Sequence, residues 1–174
     1  LITVIAVMQG FEEQIRYSLV RKMDHLQIYS FNEEYTQGLT DEISQLDHVE
    51  SVFGYNQSYA LMKLNKSYMP VMIIAVESNG KSLGLPDLSQ DGIYLANADN
   101  HLVPLGEPAS LIIPQQNSRF PKVVSPTILG TFETQSVGNK MMTALMSFDT
   151  YVKYFASQKI TGLMVVVDDL YATK

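Results

Sequence analysis

The sequence has no cysteine and no tryptophan, and few charges. Without cysteine it holds no disulfide, no thiolate metal ligand and no thiol nucleophile, while the redox compartment stays open. Charged residues make up 17% of the chain, which is low, and 12 Lys and Arg stand against 18 Asp and Glu, for a net charge of -6. An acidic chain of this kind lacks the electrostatic footprint of a nucleic-acid binder, and no polybasic stretch offers itself to anionic lipid head groups. The apolar opening, Leu1 to Met8, is far shorter than the roughly 20 residues that a membrane helix takes. It has neither the charged flank nor the small-residue cleavage site of a signal peptide. On the residues alone it reads either as a buried first strand or as the last turns of a membrane helix.

What is present is enough for a core. Hydrophobic residues are 46% of 174, with 10 Tyr and 7 Phe, which excludes a disordered chain. The length fits one domain or two small ones, burying about two thirds of the unfolded surface.

Along the chain, Phe11, Ile15, Leu19 and Met23 recur at steps of four and predict a helix ending near His25. Leu26 to Phe31 alternates as a strand. Thr40, followed by Asp41 and Glu42, predicts the N-cap of a short amphipathic helix reaching Asp47. Two strands follow, Ser51 to Leu64 and Ser67 to Glu77, with Gly54 as a candidate bulge. The unbroken apolar run Val71 to Val76 predicts a strand covered on both faces. Residues 78 to 92, rich in Gly and Ser, read as a connection. Beyond it come strands at Ile93 to Ala96, Ala109 to Ile113, Val123 to Phe132 and Met141 to Met146. Ser147 then caps a helix in which Phe148, Val152 and Phe155 share a face, and Ile160 to Val167 closes as a strand ended by Asp168 and Asp169. Alternating βα units are absent, so the predicted class is α+β.

The catalytic and metal motifs are fragments. Gly80-Lys81-Ser82-Leu83-Gly84 spells G-x-S-x-G, but Leu85-Pro86 stands where a nucleophile elbow needs a helix to open. A phosphate loop ending in Gly80-Lys81-Ser82 needs glycine where Ala75 stands. Asp87 to Gly92 resembles the start of a calcium loop whose closing carboxylate falls on Ala98. His25, His48 and His101 form no i,i+4 ligand pair. Asp168 and Asp169, adjacent on a strand, point to opposite faces. The sequence therefore predicts no catalytic residue, no metal and no cofactor. Its strongest surface feature is the loop Pro114 to Pro126, where Arg119, Phe120, Pro121 and Lys122 set an aromatic among cations and prolines between two strands. That composition suits a protein contact; the plainer reading is a hairpin loop whose Phe120 folds back onto the core.

Met8-Gln9-Gly10-Phe11-Glu12, following an apolar run, resembles the Met-Asn-Gly-Phe-Glu pattern at the end of the first membrane helix in lipoprotein-releasing permeases of the LolC/LolE type, within the MacB/FtsX-like permeases. Ile43 to Val52, Ile128 to Phe132 and Ile160 to Asp168 resemble later segments of that family in the same order. The resemblance implies a porter-like α/β subdomain near the membrane (residues 11–80 and 158–174), an inserted strand-rich subdomain (81–157), and residues 1–10 as the end of a membrane helix. It implies a bacterial inner-membrane permease whose periplasmic domain this is, working with a sister permease subunit and a separate ATPase subunit to pass lipoprotein cargo to a periplasmic chaperone. It also implies that any chemistry belongs to the ATPase. One departure stands out: the Gln115 to Thr127 loop is several residues shorter than the chaperone-gripping hook of LolC-type subunits, which fits a LolE-like sister or a hybrid with a stub of a hook; efflux permeases of the MacB type, which share the architecture, are the alternative. A third reading, a small hydrolase using Ser82, needs that serine on a strand-to-helix turn within reach of a histidine.

Overall fold

The computed structural model describes residues 26–29, 37–64, 66–77, 85–96, 103–115, 120–132 and 141–168. The predicted helix from Phe11, and Leu1 to Met8, lie outside them. The elements are β1 (Leu26–Tyr29), α1 (Gln37–Ser44), β2 (Val49–Leu64), β3 (Ser67–Val76), β4 (Ile93–Ala96), β5 (Ser110–Ile113), β6 (Lys122–Val124), β7 (Ile128–Phe132), β8 (Met142–Ser147), α2 (Phe148–Phe155) and β9 (Gly162–Val167).

All nine strands join one mixed sheet, ordered β1-β9-β2-β3-β8-β4-β7, with β5 on β2 and β6 on β5. The 16-residue β2 is its spine. Its first half pairs with β9 and its second half with β5 on the same edge, while β3 runs along the other edge for ten residue pairs. Beyond β3 the pairing is mixed: β3 with β8 and β4 with β7 are parallel, β8 with β4 antiparallel. A Pro108–Thr127 bridge, with Ala109 N donating to Pro126 O and Ile128 N to Glu107 O (both 2.9 Å), ties the start of β5 to the start of β7. The sheet therefore curls until β5 and β7 meet.

The inner face of that curl holds the main core. Met62, Val71, Ile73, Ile93, Leu95, Leu111, Ile128 and Met146 are fully buried there. Each such side chain contributes about 1.5–3 kcal/mol of transfer free energy. The helix α2 packs against the same core. Ser147 is its N-cap, its Oγ accepting from Thr150 N at 3.1 Å, as predicted. Its buried stripe differs from prediction: Tyr151, not Val152, is the buried anchor, stacked on Phe155 at 4.4 Å and on Phe148 at 6.1 Å. Spacings of three and four place 148, 151 and 155 on one face. A smaller cluster of Tyr55, Val76, Leu145 and Met164 lies on the other face of the sheet, under Leu88.

Three boundaries depart from the sequence reading. Thr40 lies inside α1, where its carbonyl accepts from Ser44 Oγ at 2.7 Å; that i−4 bond needs Thr40 already in the helix. The predicted strand Val123 to Phe132 is two strands, because Ser125-Pro126 interrupts it and proline cannot donate to a ladder. The irregularity in β2 falls between Val49 and Ser51, not at Gly54, which pairs regularly with Leu163.

Candidate functional site

Alternation along β2 sorts its second half into two surfaces. Ala60, Met62 and Leu64 point into the core; Tyr59, Leu61 and Lys63 point outward. Cross-strand register carries the outward row onto neighbours. Leu61 faces Pro70 of β3 and Ile112 of β5, and Ile112 faces Val123 of β6. The result is an apolar wall across four strands. Tyr59 is 56% exposed, Leu61 46%, Tyr68 60% and Val123 60%. Lys63 reaches over the Tyr68 ring, 5.7 Å from its centroid.

Three of the residues singled out in the sequence, Phe120, Pro121 and Lys122, lie at the start of β6, the last strand of this wall. Phe120 is 79% exposed just before β6, so it does not fold back onto the core. Pro121 is exposed; Lys122 opens β6 half-buried, opposite Ile113 and so on the other face from Val123. Arg119 lies outside the described residues, as does Ser82. Leu61, Tyr59, Tyr68 and Val123 were missed. Their signal was a strand, β2, apolar on both faces, and the absence of any Asp or Glu from residues 55–76 and 108–132 in a chain that has 18.

The remaining polar features are engaged elsewhere. Asp87 Oδ1 accepts from Ser89 N at 3.0 Å, closing a local turn, while Asp91 pairs with Lys153 of α2 and accepts from Thr150 Oγ1 at 3.4 Å. The two acids of the calcium-like stretch thus serve different elements. The hydrogen bond from Lys153 to the Asp91 carboxylate holds the ammonium pKa above the usual lysine value. A cleft of about 810 Å³ opens beside this pair, lined also by Glu77, Leu88, Ser147 and Phe148. His48, at φ 67°, binds Asp168 twice: its carbonyl accepts from Asp168 N, and its Nδ1 lies 3.0 Å from Asp168 Oδ1. That pair, unmatched in the sequence reading, clips the end of β9 to the start of β2. Among the described residues no three His, Asp or Glu gather as a metal set, and no helix is long and apolar enough to cross a membrane.

No protein-family model matches the sequence, and no curated protein matches it. Solved structures match in fold. The extracellular domain of the noncanonical ABC-type transporter YknZ from Gram-positive bacteria superposes with a TM-score of 0.53 at 10% identity, over 83% of this chain and 82% of that one. The periplasmic region of MacB from Actinobacillus actinomycetemcomitans gives a TM-score of 0.51 at 16% identity, over 82% of this chain and 70% of that one. At such identities the likeness is one of fold: a curled, strand-rich mixed sheet with few helices, shared with extracytoplasmic domains of ABC-type transporters.

Proposed function

We propose that this chain is the periplasmic domain of a bacterial inner-membrane ABC-transporter permease of the LolC/LolE type. In this reading it helps release lipoproteins to a periplasmic chaperone, by contacting partners and relaying conformational change rather than by catalysis. Residues 11–80 and 158–174 form its membrane-proximal part and 81–157 the insertion. A sister permease and a separate ATPase act with the full-length protein. The observation that carries the reading is the open apolar wall ending at Phe120, on a fold shared with extracytoplasmic domains of ABC-type transporters. A side chain left 79% exposed at the margin of such a wall is suited to a partner's pocket. The Met8 to Glu12 run supports the lipoprotein-releasing branch. A second reading, the periplasmic domain of a MacB-type efflux permease, is supported by the fold likeness to MacB itself.

Calorimetry of this chain against the purified lipoprotein chaperone tests the choice. Binding that weakens about tenfold or more in Phe120→Ala, as for an interface anchor, and weakens also in Arg119→Ala, is the expected result. A folded chain that shows no binding removes the assignment of Arg119 and Phe120 as the chaperone contact and leaves the LolE-like sister subunit or the efflux permease.

A further inference from the structure

The β2–β3 hairpin has a second property, independent of any protein partner. Its outward face sets Tyr59, Leu61 and Tyr68 beside Lys63, and Lys66 stands exposed at the turn. Residues 55–76 contain no Asp or Glu, although the chain as a whole carries -6. Lys63 and Lys66 stand at the turn end of an outward apolar surface. We infer that this hairpin face docks on an anionic lipid surface.

The lysines set the hairpin apart from the Phe120 end of the wall and point to lipid. Lysine is depleted at protein interfaces. At a bilayer, by contrast, its apolar stem lies along the hydrocarbon boundary while the ammonium reaches the head groups. Tyrosine suits the same depth, with its ring apolar and its hydroxyl wet. Lys63 over Tyr68 keeps cation and ring together at one level. Anionic head groups meet positive charge with no carboxylate on the hairpin to repel them, and the acidic remainder of the chain is pushed away, which orients the domain with the hairpin toward the surface. This goes beyond the transport reading and survives its loss, since it requires only the hairpin.

The test is sedimentation of the 174-residue chain with vesicles of phosphatidylglycerol and phosphatidylethanolamine, against vesicles of phosphatidylcholine alone. Binding to the anionic vesicles that falls with salt is expected. Charge reversal by Lys63→Glu with Lys66→Glu weakens it about tenfold or more, and Tyr59→Ser with Leu61→Ser weakens it at constant charge. Lys159→Glu, in the α2–β9 connection, changes the net charge by the same amount as Lys63→Glu alone and, compared with that single variant, leaves binding nearly intact. All these positions are exposed, and unchanged melting temperatures show that the variants fold. No binding to anionic vesicles, equal binding to both lipids, or binding indifferent to the Lys63/Lys66 reversal overturns the inference.

Discussion

Gly54 and Glu77 hold each other by two hydrogen bonds: Gly54 N donates to Glu77 Oε2, and Glu77 N donates to Gly54 O, both at 3.0 Å. The carboxylate lies against the bare α-carbon. A Cβ at Gly54 would fall 2.2 Å from Oε2 and 3.1 Å from Ile160 Cδ1. Gly54→Ala therefore expels the carboxylate and leaves the Gly54 amide without its acceptor, a loss of about 1–3 kcal/mol. In a Glu77→Ala background the carboxylate is gone and only the flexible tip of Ile160 must give way. There Gly54→Ala is expected to be neutral or stabilising, since alanine loses less backbone entropy than glycine in a strand. A double-mutant cycle in urea checks it: additive losses would show that the carboxylate is not what excludes a side chain.

Gly162 faces a harder obstacle. A Cβ there would lie 2.5 Å from the Ile28 carbonyl and 2.7 Å from the Tyr55 ring. Backbone cannot swing aside as a glutamate tip can, so Gly162→Ala is expected to cost more than Gly54→Ala, about 2–4 kcal/mol. The β1–β9 pairing at Tyr29 and Gly162 is the first to part. Hydrogen exchange should show faster exchange at β1 than at the centre of β2, while an unchanged pattern would mean that β1 shifts without strain.

The strands were legible where composition and period agreed. The apolar run of β3, the match at Ile93 to Ala96, and the Ser147 cap depend on local chemistry that the sequence states outright. The pairing was not legible. Parallel partners such as β3 and β8 lie far apart in the sequence, with β4 to β7 between them, so nothing near Val71 points to Met142. The contact site was half legible. Arg119 to Lys122 stood out as a cluster, but Tyr59 and Leu61 read simply as part of a strand, because alternation cannot say which face is left open. His48 and Asp168, 120 residues apart, meet only through the β2–β9 register.

Lys153 gives a pH signature. Its pKa is raised by the hydrogen bond to Asp91, so the pair contributes stability that is fully present below the ordinary lysine value of 10.5 and is lost as pH rises through the higher folded-state value. Lys153→Met removes that contribution. The melting temperatures of the two proteins should differ slightly at neutral pH and converge only above the lysine range; convergence at acid pH instead would place the dependence on the Asp91 carboxylate.

Asn56 is nearly buried, 3% exposed, and every polar atom of its side chain has work to do. Nδ2 donates to the Lys159 carbonyl at 2.6 Å, Oδ1 accepts from Ser58 Oγ at 2.6 Å, and Ser58 Oγ meets Tyr151 OH at 2.9 Å. This chain of bonds ties the middle of β2 to α2 and to the α2–β9 connection, which Gln57 N and Thr161 Oγ1 also bridge at 3.1 Å. Truncation by Asn56→Ala removes the bond to the Lys159 carbonyl and leaves Ser58 Oγ with its Tyr151 contact alone, a loss of about 1–3 kcal/mol in all. Asn56→Asp keeps the shape and the acceptor but loses the donor to Lys159 and places a charge at a site without a cation on the network, so it should be no milder than alanine. Denaturant melts measure the loss, and hydrogen exchange locates it. Faster exchange across residues 156–161 with the β2–β3 ladder unchanged is the expected pattern. Protection lost evenly over the whole sheet would mean that the network supports the core as a whole and not the connection.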